Sequence, residues 1–97
     1  MKELAFWLNK IHRGDCIEVM KEMPANSIDC IVTDPPYGIS FMGKAWDKAL
    51  PSKEAFSQMH RILKAGGLAF VMSSPRQDVL WHMLKMLEDC DFQLRQS

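Results

Sequence analysis

The tetrapeptide Asp34-Pro35-Pro36-Tyr37 is the stretch whose residue types could do chemistry together. It offers a carboxylate, a backbone stiffened by two prolines and an aromatic face, in that order. It follows Ile28 to Thr33, a nearly continuous apolar run carried by Ile28, Cys30, Ile31 and Val32. Such a run is expected of a strand covered on both faces in a parallel sheet. Neither proline can donate a ladder hydrogen bond, so the strand must stop there. Ligands of open α/β sheets bind outside the carboxyl ends of the strands, and the tetrapeptide falls at such an end. The plain alternative is an Asp-Pro turn with Tyr37 as a surface aromatic.

The elements that must position this stretch alternate between short apolar runs and amphipathic segments, a pattern of α/β folds with parallel strands. Lys10 to Arg13 reads as a weak strand ending at Gly14-Asp15. Cys16 to Met23 reads as a short helix with Ile17, Met20 and Met23 on one side, broken at Pro24-Ala25-Asn26-Ser27. Gly38 to Leu50 reads as a long loop, and loops of that length in small domains are usually functional. Ser52 suits the N-cap of a helix over Lys53 to Lys64, with Ala55, Phe56, Met59, Ile62 and Leu63 as its apolar stripe. Gly66-Gly67 is expected to end that helix as a left-handed cap, before a second buried strand over Leu68 to Met72. Its order, after a helix and before a strand, is the reverse of a phosphate loop. Ser74 and Pro75 suit the start of a last helix, with Val79, Leu80, Met83, Met86, Leu87 and Cys90 facing inward. Phe92 and Leu94 alternate as a strand would.

The bulk numbers narrow the classes. A chain of 97 residues supports one small domain with one core. At 47% hydrophobic and 25% charged, it is neither disordered nor fibrous. Its formal net charge is zero, without the basic excess of free-standing nucleic-acid binders; any grip on a polynucleotide is local or lies elsewhere. No apolar run reaches membrane-spanning length, and the N-terminus has no signal-peptide layout, so a cytoplasmic location is expected. Cys16, Cys30 and Cys90 are odd in number and widely spaced, which fits neither a disulfide framework nor a zinc site. They are expected to be buried thiols, and the methionines at Met20, Met23, Met59, Met83 and Met86 to fill the core. His12, His60 and His82 share no motif, and no metal is expected.

Three segments together carry a resemblance. They are Gly14-Asp15-Cys16-Ile17-Glu18-Val19-Met20, then Ser27-Ile28-Asp29-Cys30-Ile31-Val32-Thr33-Asp34-Pro35-Pro36-Tyr37-Gly38, then Arg61-Ile62-Leu63-Lys64-Ala65-Gly66-Gly67. They resemble the N-terminal half of the β-class (permuted) DNA amino-methyltransferases, the N6-adenine and N4-cytosine family. The likeness runs from roughly Ile11 to Arg95; many members carry proline where this chain has Ala65. It implies a partial Rossmann-like methyltransferase fold, mainly parallel, with about 3–4 strands and about 3 helices. It implies methyl transfer from S-adenosylmethionine to an amino group in DNA, adenine N6 ahead of cytosine N4, in a restriction-modification setting. A related reaction on RNA or protein amides ranks lower, because the asparagine-headed motif is more usual there.

The resemblance also gives the residues roles. An exocyclic amine is a poor nucleophile, because its lone pair is delocalised into the ring. The Asp34 carboxylate and the Pro35 carbonyl, stiffened by Pro36, would accept its two hydrogens and help localise that pair. Tyr37 would stack on the flipped base, with Phe41 and Trp46 as weaker candidates. Lys44, Lys48 and Lys53 could touch phosphate, although scattered lysines in a loop are more often solvated. On the donor side the resemblance implies Asp15, Cys16 and Asp34, with Asp15 near the adenine of S-adenosylmethionine. Asp15 serves equally well as a helix N-cap. The family's glycine-rich donor loop is not among the five glycines of this chain. The expectation is therefore a single domain, 1–97, holding the catalytic-motif half without target-recognition and donor-loop regions. Alone it is expected to be inactive, to bind donor poorly, and to close its incomplete sheet as a homodimer or with a complementary methyltransferase half.

Overall fold

The computed structural model describes residues 2–35 and 53–95. Among these the order of elements is α1 (Leu4–Trp7), α2 (Cys16–Lys21), β1 (Ile28–Thr33), α3 (Lys53–Ile62), β2 (Leu63–Val71) and α4 (Gln77–Asp89). The strands β1 and β2 pair in parallel, with Cys30 opposite Leu68 and Thr33 opposite Val71. The α/β class expected from the sequence is what forms, but with two strands among the described residues rather than three or four.

Both shortfalls in strands have a physical reason. Lys10–Arg13 is irregular, and Ile11 is 100% exposed. A strand needs a partner for its backbone groups, and among the described residues no strand pairs with this segment. At the other end, Phe92 closes a helix instead of opening a strand. Asp91 adopts a left-handed φ of 71°, Phe92 N–H donates to Leu87 C=O (3.1 Å), and Asp91 N–H donates to Glu88 C=O (2.9 Å). This is the Schellman arrangement, with Phe92 folding back against the core.

The junction between α3 and β2 also differs from expectation. The helix stops at Ile62, two residues before Lys64, and the ladder begins at once with Leu63 opposite Ile28. Its orphan carbonyls are met from elsewhere in the chain. Asn26 N–H donates to Arg61 C=O (3.0 Å) and Ser27 N–H to Ile62 C=O (2.8 Å). Gly66 does take a left-handed φ of 82°, but inside the irregular start of β2 and not as a helix cap. Gly67 is there for close approach. A Cβ on it would lie 2.9 Å from the Lys64 carbonyl oxygen and 3.1 Å from that of Asp29.

The core is one-sided. Phe56, Met59, Met83 and Cys90 are buried together, and Met20, Ile31, Ala69, Val71, Met86, Leu87 and Phe92 pack around them. The apolar stripes read for α3 and α4 are those that face inward, and the core-filling methionines are confirmed at Met59 and Met83. Cys90 Sγ meets the Lys53 carbonyl and Ser57 Oγ, both at 3.5 Å. The Arg61 guanidinium donates to the Met20 carbonyl and so ties α2 to α3. The opposite sheet face is open: Val32 is 66%, Leu68 48%, Phe70 55% and Met72 51% exposed. The expectation of a strand covered on both faces therefore fails for β1. The expected burial of cysteines holds for Cys90 alone; Cys16 and Cys30 are exposed. Cys30 lies on the open face with Val32, in register with Leu68 and Phe70.

Two substitutions check this account by chemical denaturation. Gly67→Ala is expected to lower stability by about 1–3 kcal/mol, because its new methyl meets backbone oxygens that cannot step aside. Asp91→Gly is expected to raise stability by about 0.5–1 kcal/mol, by removing the cost of a left-handed residue bearing a Cβ. A Gly67→Ala variant as stable as the wild type would refute the close approach.

Candidate active site at the carboxyl edge of the sheet

Asp34 emerges from β1 at a fixed point. The ladder persists to the last strand residue, and Met72 N–H donates to the Thr33 carbonyl at 3.0 Å. The next residue, Asp34, is exposed, and Pro35 is half-buried. Pro35 has no N–H, so pairing stops where the sequence requires. Pro36, Tyr37, Phe41, Lys44, Trp46 and Lys48 lie outside the described residues. So does Ser52, the expected cap of α3. Lys53 opens α3 and is exposed.

Parallel pairing places the end of β2 beside the end of β1, so Ser73 and Ser74 follow Val71 at the edge where Asp34 follows Thr33. The sequence reading gave Ser74 only a capping role for the last helix. In the structure α4 begins at Gln77, with Arg76 at the N-cap position and no side-chain cap bond. Ser74 Oγ instead accepts from Arg76 N–H at 3.2 Å. The Arg76 guanidinium donates to both Asp78 oxygens, at 3.2 and 2.8 Å, and holds that carboxyl below the usual aspartate range. The parallel register is the signal that brings this turn to the site; nothing local to Ser73-Ser74 marks it.

Asp15 is a helix cap. Its Oδ1 accepts from Ile17 N–H (3.0 Å) and Glu18 N–H (3.3 Å), which starts α2. It also lines an open cleft of about 540 Å³ formed by α1, the segment after it and α2. Trp7, His12, Asp15 and Glu22 are among its walls; Cys16 and Asp34 are not. The three residues grouped on the donor side thus do not share one cleft among the described residues. His12 Nε2 lies 3.3 Å from the Trp7 carbonyl, His60 meets Phe92 edge-on, and His82 meets Trp81. Each histidine is engaged locally. Among the described residues no group of three His, Cys, Asp or Glu side chains could hold a metal, and no helix is long and apolar enough to cross a membrane.

Comparison with known proteins places this geometry. The chain is 31% identical to the type II methyltransferase M.BamHI of Bacillus amyloliquefaciens, over 71% of this chain and 18% of that protein. It is 37% identical to the type II methyltransferase M.BglII of Bacillus subtilis, over 65% of this chain and 19% of that protein. It is 38% identical to the DNA adenine methyltransferase YhdJ of Escherichia coli (strain K12), over 66% of this chain and 24% of that protein. The chain thus spans about a fifth of the length of these relatives. No solved structure matches it. The family model for the RMKL-like methyltransferase domain, UPF0020, matches residues 7–95, nearly the whole chain. With its parallel strand pair and an Asp-Pro step at the carboxyl edge, the chain belongs to that methyltransferase family.

Proposed function

We propose that this chain, as a single domain over residues 1–97, is the amine-acceptor part of a cytoplasmic DNA methyltransferase acting on adenine N6. Cytosine N4 is the nearest alternative target. One observation carries the reading: Asp34 leaves a laddered parallel strand, exposed, at the edge where α/β sheets bind ligands. The DNA adenine methyltransferase YhdJ among the relatives favours adenine.

The chemistry asked of the chain is positional. The Asp34 carboxylate and the Pro35 carbonyl accept the two amine hydrogens of a base taken out of the duplex. With both hydrogens held, the nitrogen pyramidalises and its lone pair becomes available to attack. The same carboxylate also stabilises the positive charge that grows on that nitrogen. Pro36 stiffens the acceptor, and Tyr37 stacks on the base, with Phe41, Trp46 and Lys44 as further DNA contacts. S-adenosylmethionine, when bound, supplies an electrophilic methyl group on sulfur. The fit of the chain to it rests on the cleft, whose volume suits the nucleoside end and whose wall includes Asp15. Cys16 is at the start of the same helix.

A second reading is favoured by the open sheet face. A parallel sheet is ordinarily covered on both sides, and Val32, Leu68, Phe70 and Met72 are uncovered here. We propose that a second copy or a complementary methyltransferase half closes this face, and that methyl transfer requires that assembly.

Two measurements test these readings. The first is methyl transfer to adenine-containing duplex DNA by the chain mixed with the donor-binding part of a relative. Asp34→Ala is expected to lower the rate by about 10²–10³-fold with the fold retained. A variant that methylates normally would remove Asp34 from the mechanism. The second is sedimentation of the purified chain. It is expected to self-associate, and Phe70→Glu to shift it to monomer. A wild-type chain that stays monomeric at high concentration would rule out the self-associating version.

A further inference from the structure

Asp34 and Met72 belong to the same face of the sheet. Thr33 pairs with Val71, and the Met72 N–H donates to the Thr33 carbonyl at 3.0 Å, so the ladder carries Asp34 to the level of Met72. Side chains alternate between the two faces along a strand. Asp34 precedes Pro35, and a residue before proline is held in the extended region, so the alternation does not break at the end of β1. Cys30, Val32 and Asp34 therefore form one row, with Leu68, Phe70 and Met72 as the row beside it. Exposure follows the rows. Val32, Asp34, Phe70 and Met72 are exposed, whereas Ile31, Ala69 and Val71 between them pack against the helical core.

Paired strands lie about 4.8 Å apart, which makes Met72 the side chain next to the carboxylate across the ladder. A base whose amine is held by Asp34 carries its ring one bond beyond that amine, within van der Waals reach of Met72. Val32 and Phe70 stand one pair further back, about 7 Å from the edge, in the part of the face proposed to be covered by a partner. Met72 is 51% exposed at the edge itself. Its side chain suits a flat ring, because an unbranched thioether adapts its shape and makes favourable contacts with aromatic edges. It carries no strong donor or acceptor, so it does not compete for the amine hydrogens.

We propose that Met72 is a substrate-contacting wall of the amine-acceptor site, packing against the ring of the base whose amine Asp34 holds. The inference rests on the acceptor reading of Asp34 and adds a specificity residue to it. It divides one base between two strands: β1 takes the amine, and β2 takes the ring.

Calorimetric titration of the purified chain with two single-stranded oligothymidylates tests this division. One carries a single adenine; the other carries purine, which lacks the amine, at the same place. A single strand avoids the cost of taking the base out of a duplex. The wild type is expected to bind the adenine strand several-fold more tightly than the purine strand. Met72→Ala is expected to weaken both strands alike, by about two- to tenfold, because the ring contact is common to them. Met72→Leu, which conserves volume, is expected to regain most of that loss. Met72→Lys is expected to erase the preference for adenine, because its ammonium pairs with the Asp34 carboxylate. Absence of binding to either strand overturns the proposal, as does unchanged binding of both by Met72→Ala. A preference retained in Met72→Lys refutes the adjacency of the two side chains. Sedimentation separates the wall from a partner contact: Met72→Ala that shifts the chain to monomer while binding both strands normally assigns Met72 to the partner surface and overturns the proposal. If Asp34→Ala abolishes the preference while Met72→Ala binds normally, the acceptor reading stands and the wall alone falls. If Asp34→Ala keeps the preference, the acceptor reading falls and the wall with it.

Discussion

The capture of the α3 carboxyl terminus by the turn before β1 is the contact on which the rest of the fold depends. A helix ends with carbonyls that have no partner of their own. Here the Arg61 and Ile62 carbonyls take the N–H groups of Asn26 and Ser27. Asn26 enters a left-handed φ of 53° to present them, a conformation that asparagine tolerates. The start of β1 is thereby fixed to the start of β2, and Ile28 faces Leu63. Gly67 then lets the two backbones close, and the register runs unbroken from Cys30–Leu68 to Thr33–Val71. The position of Asp34 is the last consequence of that chain of contacts. The exposed Lys64–Asp29 ion pair at 2.9 Å spans the same strands but adds little, since solvent screens it.

One layer of helices covers one face of this sheet. Burial of Phe56, Met59, Met83 and Cys90 supplies the apolar driving force on that side. On the other side Val32, Leu68, Phe70 and Met72 keep about half or more of their surface in water, which forgoes the same kind of gain. Ile11, outside the sheet, is fully exposed as well. A parallel sheet is ordinarily covered on both faces, and this open apolar face is the ground for the proposed assembly.

Local rules made much of this legible in the sequence. Asp15 caps α2 because aspartate before a short apolar-periodic run satisfies the first N–H groups. The stripes of α3 and α4 face the core because their spacing repeats with the helix. β1 ends before Asp34-Pro35 because proline cannot ladder. What local rules did not reveal depended on distant partners. The Gly66-Gly67 pair looks like a helix cap, but Asn26 and Ser27 had already satisfied that helix. Asp91 takes a role that glycine usually fills, so nothing in its identity announced it. Cys16 and Cys30 read as buried because their residue type usually is, whereas Cys16 opens α2 and Cys30 lies on the open sheet face, and both are exposed. Tyr37 and the loop beyond it lie outside the described residues, so the stacking half of the candidate site rests on sequence alone.

The two carboxylates of interest are held by different means, and this bears on what an assembly would contribute. Asp15 is set by a cap bond to its own helix, made within three residues. Asp34 is set by a ladder that joins residues more than thirty positions apart. Both supports lie inside this chain; the ladder uses the backbones of Val32, Leu68, Phe70 and Met72, not their side chains on the open face. Covering that face is therefore not needed to form either local geometry. Its effect is on what each carboxylate can meet: a second layer excludes water, and in a drier site a fixed carboxylate interacts more strongly with an amine or a developing positive charge. The chain holds Asp34 and Asp15 by its own contacts, and in the proposed assembly a covering layer would set how strongly they act.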